Sequence, residues 1–257
     1  MSKELQLKSL NRLLIIMDEL REKCPWDKKQ TFDSLKPLTI EETYELVEAI
    51  SENNIEEIKN ELGDLLLHIV FYSKIASESN KFDFADVANS ISEKLIYRHP
   101  HVYENNLELD EDQVKLNWEK LKLKDGKRSV LEGVPKTLPP ILKSMRIQQK
   151  ASNVGFNWSD EIESKEKVNE ELKELDDEIN SGNLEKINNE FGDVLFSLIN
   201  YGKHIGVNPD SSLEKANKRF INRFKYVEKK MNLENKTFEN LSKIDLKKYW
   251  DLAKKQL

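Results

Sequence analysis

Cysteine is nearly absent: Cys24 stands alone in 257 residues. No intrachain disulfide can form, and a reducing compartment is the expectation. Glycine (8) and proline (7) are scarce, and apolar residues recur at helical rather than alternating spacing, so the chain reads as mostly helix. No run of about eighteen apolar residues exists, which argues against a membrane span. The first residues, Met-Ser-Lys-Glu-Leu-Gln, lack the apolar core of a signal peptide, and cytoplasm is the expected location. A basic excess is also missing. The net charge of −6 speaks against binding a nucleic-acid backbone as the main activity.

Two chemical signatures are lacking as well. There is no Gly-x-x-x-x-Gly-Lys-Ser/Thr loop, which sets the chain apart from P-loop phosphatases. None of His68, His99, His101 and His204 has a glutamate three residues before it. A redox di-iron or di-manganese bundle built on Glu-x-x-His is therefore disfavoured.

What the chain does have is one acidic pattern written twice. Glu42, Glu45, Glu61 and Asp64 lie in EETYE and ELGDLL; Glu171, Glu174, Glu190 and Asp193 lie in EELKE and EFGDVL. From Glu42 to Glu61 is 19 positions (61 − 42), as it is from Glu171 to Glu190 (190 − 171). Acids three apart share one helix face. If each motif is a helical hairpin, opposed residues lie equally far from the turn. Glu45 with Glu61 and Glu42 with Asp64 then share a midpoint at residue 53, within Ser51–Asn54. Glu174 with Glu190 and Glu171 with Asp193 share Gly182. Both midpoints are turn-like.

Four converging carboxylates repel one another and resist burial. A hard divalent cation removes the conflict, and Mg²⁺ completes its shell with water and substrate phosphates. The plain alternative is a solvated helix face. With 47 acids in 257 residues, four preset positions are all acidic roughly once in a thousand registers. Two matching hits favour function. Glu42 also has a local explanation, as the closing residue of a capping box begun by Thr39.

The organisation is expected to be all-α, with tandem helical-bundle domains. Residues 1–123 form the first domain, 124–140 a linker with Gly126, Gly133, Pro135, Pro139 and Pro140, and 141–257 the second. Helices are expected over about 3–22, from after Pro37, over 55–79 and 84–98, and around Trp118–Lys122. The second half repeats them at 141–150, 163–180, 184–204 and 213–230, with a terminal helix carrying Trp250 and Lys254. Each half is open, so helical hairpins packed as four-helix bundles are expected to be completed by the other half or by a second chain. Lys215, Lys218, Arg219 and Arg223 form a cationic stripe, poorer in the first half at Lys94 and Arg98. Usually such a stripe is only solvated surface, but beside a metal site it suits a polyphosphate. Trp26 and Trp158 are expected to be packing anchors, whereas Trp250 could stack on a nucleobase.

The order Cys24–Asp27, EExxE, ELGDLL and RHPHV (98–102), followed by GFNW (155–158), EELKE, EFGDVL and KANKRF (215–220), closely resembles the MazG nucleoside triphosphate pyrophosphohydrolases over nearly the whole chain. The resemblance implies an all-α homodimer that hydrolyses nucleoside triphosphates to monophosphate and pyrophosphate with Mg²⁺, or Mn²⁺ in its place. It implies catalytic and metal-ligating roles for Glu171, Glu174, Glu190 and Asp193, with the first-half acids as further metal ligands. It implies nucleotide contacts at Lys167, Val168, Asn169, Glu170 and Glu171, at Lys186, Ile187, Asn188 and Asn189, at Lys215, Ala216, Asn217, Lys218 and Arg219, and at Trp250. The competing reading is a non-catalytic helical scaffold that binds nucleotides or partners.

Overall fold

The computed structural model describes residues 2–104, 108–110, 113–114, 116–118, 121, 129–157 and 160–256. Among these there is no β-strand. The chain divides into two compact units, Met1–Glu108 and Leu109–Leu257. The expected helix around Trp118–Lys122 and the start of the expected linker at 124–128 fall largely outside the described residues.

In the first unit α1 (Lys3–Lys23) is capped by Ser2, whose hydroxyl accepts from Glu4 N–H. Helix α2 (Phe32–Glu52) begins earlier than the expected start after Pro37. Thr31 and Ser34 form a reciprocal capping box, satisfying two backbone donors at once. Leu35, 1% exposed, anchors that first turn in the core, so the helix tolerates Pro37 in its second turn. Thr39 is therefore no N-cap. Its hydroxyl donates to the Leu35 carbonyl at 3.1 Å and meets His68 Nδ1 at 2.8 Å and Tyr72 Oη at 2.6 Å. The capping explanation of Glu42 falls with it.

Helix α3 (Ile55–Ser77) returns antiparallel to α2 after Asn53, which takes a left-handed conformation at φ 54°. Helices α4 (Phe84–Arg98) and α5 (Pro100–Tyr103) complete the unit. Met17, Leu35, Val70 and Phe71 form its core, so α1, α2 and α3 share one apolar seam. Arg21 clasps its edge: Nε donates to Glu78 Oε1 at 2.8 Å, Nη1 donates to the Asp27 and Gln30 carbonyls, and the guanidinium lies 5.6 Å from the Phe71 ring centroid. Trp26 is 55% exposed and is not the packing anchor the sequence suggested, because it sits on the turn after α1 rather than on a core-facing helix. Trp158 lies outside the described residues.

The second unit contains α6 (Pro140–Ser152), α7 (Glu161–Ser181), α8 (Leu184–His204), α9 (Pro209–Leu233) and α10 (Lys243–Gln256). The hairpins repeat in register: α7 starts 129 residues after α2 (161 − 32), and α8 starts 129 after α3 (184 − 55). Gly182, φ 72°, occupies the left-handed position that Asn53 fills in the first hairpin. Gly202 is needed for a different reason. A Cβ there would meet Pro209 Cγ at 3.1 Å, where α9 turns back against α8. Val227, Met231, Tyr249 and Ala253 form a separate core between α9 and α10.

Candidate metal centre

Each hairpin brings three acids together across its two helices. In the first, carboxylate oxygens of Glu42, Glu45 and Glu61 lie within 4.8 Å of one another; in the second, those of Glu171, Glu174 and Glu190 do. Asp64 and Asp193 join neither trio. They remain close enough to act through their charge. Burial, then Asp64, Glu45 and Glu41, pushes the Glu42 carboxyl above its ordinary value. Burial, then Glu45, Asp64, Glu42 and Glu57, does the same to Glu61. Glu190 is likewise raised by burial and then by Glu174, Asp193, Glu171 and Glu178. Such shifts are the signature of like charges held together in a desolvated place.

The donor set suits a hard cation. All candidate ligating atoms are carboxylate oxygens, and Glu45 and Glu174 are exposed to solvent, as suits an ion that keeps waters. Glu61 Oε2 is buried without a hydrogen-bond partner, and so is available to coordinate. The two centres differ in their counter-charge. Lys167 Nζ lies 2.8 Å from both Glu170 Oε1 and Glu171 Oε1, and these two acids raise its pKa. Subtracting 129 from 167 gives Leu38, so the first centre has no such lysine.

The residues expected to contact a nucleotide are spread over four helices. On α7, Lys167 is half-buried and Val168 is buried, while Asn169 and Glu170 are exposed. On α8, Lys186 pairs with Glu178 at 3.0 Å, Ile187 is half-buried, Asn188 donates to the Leu184 carbonyl at 2.9 Å, and Asn189 is exposed. On α9, Lys215, Asn217 and Arg219 are exposed, and Ala216 and Lys218 are half-buried. Trp250 packs on Phe220, ring centroids 5.0 Å apart, and borders the α9–α10 core. It thus has a packing role besides any contact with a base.

Sequence reasoning missed the Thr39–His68–Tyr72 network and the Arg21 clasp. Burial lowers the His68 pKa, holding the ring neutral. The available signal for the network was polar spacing, since His68 and Tyr72 are four apart on α3 and Thr39 faces them from α2.

An all-α fold of repeated hairpins, each gathering three carboxylates across its two helices, defines the class of helical proteins to which this chain belongs. The family description "MazG nucleotide pyrophosphohydrolase domain" matches residues 30–103 and 161–230, one copy on each hairpin. The chain belongs to that family. It is 35% identical over 259 residues to the nucleoside triphosphate pyrophosphohydrolase of Escherichia coli K12, covering 97% of this chain and 98% of the relative. It is 42% identical over 247 residues to the nucleoside triphosphate pyrophosphohydrolase/pyrophosphatase MazG of Thermotoga maritima, covering 94% of each. A crystal structure of a mazG-related protein from Thermotoga maritima aligns at 24% identity over 44% of this chain and 98% of its own, with a TM-score of 0.40.

Proposed function

We propose that this chain hydrolyses nucleoside triphosphates to the monophosphate and pyrophosphate in a Mg²⁺-dependent reaction, as a house-cleaning enzyme of the nucleotide pool. The observation that carries this reading is the trio Glu171, Glu174 and Glu190, gathered within 4.8 Å in a chain whose family and full-length relatives carry that activity in their names. Glu171, Glu174 and Glu190 would hold the ion in the second half with Asp193 adding charge beside them, and Glu42, Glu45 and Glu61 with Asp64 beside them offer the equivalent place in the first. Bound Mg²⁺ polarises phosphoryl oxygens and lowers the pKa of coordinated water.

The remaining chemistry falls to the chain. Water adds to the α-phosphorus, the α–β bridging P–O bond breaks, and pyrophosphate departs. The neighbouring carboxylates orient the water and take up its proton. Lys215, Lys218 and Arg219, on successive turns of α9, stabilise negative charge on the leaving pyrophosphate. Lys167 and Lys186 give cationic flanks to the same hairpin. Trp250 contacts the nucleoside from α10.

The working form is a homodimer. Leu62, Leu66 and Ile69 on α3 are 53%, 37% and 45% exposed, and Phe191, Leu195 and Leu198 on α8 are 55%, 48% and 45% exposed. Each set follows i, i+4, i+7 and makes one apolar stripe. The sets correspond position for position at the same offset of 129 (191 − 62). A second copy of the hairpin buries such a stripe and completes a four-helix bundle.

The test is pyrophosphate release from a panel of triphosphates with and without Mg²⁺. Glu174→Gln is expected to abolish release while helix content by circular dichroism is unchanged. Full activity in that variant would overturn the second-half site.

A further inference from the structure

We infer that the cavity between α6, α8 and the start of α9 in the second unit binds a small aliphatic carboxylate, its carboxyl group on Arg146 and its hydrocarbon body against the apolar walls. The inference does not depend on the reaction proposed above. The cavity has a volume of about 500 Å³, within the range of small-ligand sites. Leu142, Met145, Ile199 and Val207 supply apolar wall, and Arg146 and Lys203 bring positive charge.

The duplication of the chain supplies a comparison for this cavity. The first unit has one in the corresponding place, between α1, α3 and the start of α4, with a volume of about 280 Å³. Leu14, Met17 and Asp18 answer to Leu142, Met145 and Arg146 at an offset of 128 (142 − 14, 145 − 17, 146 − 18). Val70 and Lys74 answer to Ile199 and Lys203 at an offset of 129 (199 − 70, 203 − 74). Asp83 and Asn208 hold the same corner, each as an N-cap whose side chain accepts from the backbone N–H three residues on.

The apolar walls and the lysine are kept between the two cavities, and the acids are not. In the first unit Lys74 Nζ lies 2.6 Å from Asp18 Oδ1, and Asp83 adds a second carboxylate. That cavity answers its own charge. In the second unit Arg146 stands in the place of Asp18 and Asn208 in the place of Asp83, and no acid is among the lining residues. Arg146 Nη1 donates to the neutral Gln149 Oε1 at 2.8 Å, and no acid pairs with this guanidinium among the described residues. A half-buried cation with neutral neighbours gains most from an anion brought into its own poorly hydrated setting.

The lining also selects the body of the occupant. A guanidinium matches a carboxylate through two parallel hydrogen bonds, and aliphatic walls reward a hydrocarbon chain that leaves water. No aromatic side chain lines the cavity, so a planar base finds no ring to stack on. The cavity also faces away from the acid trio. Ile199 lies nine residues beyond Glu190, about two and a half helical turns, and therefore on the opposite side of α8.

The test is isothermal titration calorimetry on the full chain in EDTA, with octanoate, octylammonium and acetate as probes. Octanoate is expected to bind once per chain, at least about tenfold more tightly than either of the others. Acetate lacks the body and octylammonium carries the wrong charge. Arg146→Met keeps an unbranched apolar side chain and removes the charge, and is expected to weaken octanoate by about tenfold or more. Val207 is 43% exposed, and Val207→Trp is expected to obstruct the cavity and weaken octanoate as well. Undiminished octanoate affinity in either folded variant overturns the inference. So does octylammonium binding as tightly as octanoate, a second equal site per chain, displacement of octanoate by ATP, or no octanoate binding at millimolar concentration. Should Arg146→Met fail to fold, the comparison of octanoate with octylammonium in the unmodified chain and the effect of Val207→Trp decide the matter by the same outcomes.

Discussion

Lys167 Nζ sits 2.8 Å from Glu171 Oε1, one turn apart on α7, and this pair sets the second acidic hairpin apart from the first. Glu171 is the most buried acid of either trio, 6% exposed. Removing the lysine leaves a buried carboxylate without its cation. Lys167→Met is expected to destabilise the metal-free protein by about 1–3 kcal/mol. Added Mg²⁺ takes over the counter-charge, so the melting-temperature rise on adding Mg²⁺ should be larger in the variant than in the parent protein. Thermal melts with EDTA and with Mg²⁺ measure both; an equal rise in the two proteins would contradict the argument.

The acid trios were legible in the sequence because helical periodicity fixes which side a residue takes. Glu42 and Glu45, three apart, could only share a face, and the turn-like Asn53 and Gly182 located the fold-back. The fourth acids, Asp64 and Asp193, stand outside the trios but act on Glu42, Glu61 and Glu190 through their charge. The start of α2 was misread for a local reason: Pro37 looks like a boundary, yet the Thr31–Ser34 box and buried Leu35 outweigh it.

The two halves are expected to contribute unequally to turnover. The first trio is matched by Lys94 and Arg98 on α4, whereas the second has Lys215, Lys218, Arg219 and Arg223 on α9. Charge on the leaving pyrophosphate needs that cationic support. Glu174→Gln should therefore remove about 10²-fold or more of the pyrophosphate-releasing activity, and Glu45→Gln should remove much less. Steady-state rates of the two single variants and the double variant measure the split; equal losses would assign turnover to both halves.

Acidity should loosen the metal before it loosens the fold. Glu42, Glu61 and Glu190 have carboxyls raised above the ordinary 4.5, so the folded metal-free protein holds more protons than the unfolded chain between 4.5 and the raised values. Stability from these groups then falls as pH rises through that window, because ν_U − ν_N is negative. Glu78, Glu178, Glu234 and Asp245 are shifted down by their partners and act with the opposite sign at lower pH. A cation reverses the first effect, since it binds only the ionised acids. The melting-temperature gain from Mg²⁺ should shrink steadily as pH is lowered from 8 towards 5. A gain independent of pH would mean that the ion binds elsewhere.

The repeated apolar stripe gives the last prediction. Phe191, Leu195 and Leu198 lie beside Gly192, where an added Cβ would meet nothing within 4 Å. Glycine in a helix interior is less favourable than alanine by about 1 kcal/mol, and among the described residues nothing packs against Gly192 to compensate for it. A second helix approaching closely would. Leu195→Glu places a charge in the middle of the stripe without touching the buried core, so helix content should persist. The molar mass by light scattering is expected to fall from twice that of the chain towards 30.1 kDa, with activity falling alongside. A monomer in the unmodified protein, or a dimer that survives both Leu195→Glu and the equivalent Leu66→Glu, would show that these stripes are not the contact.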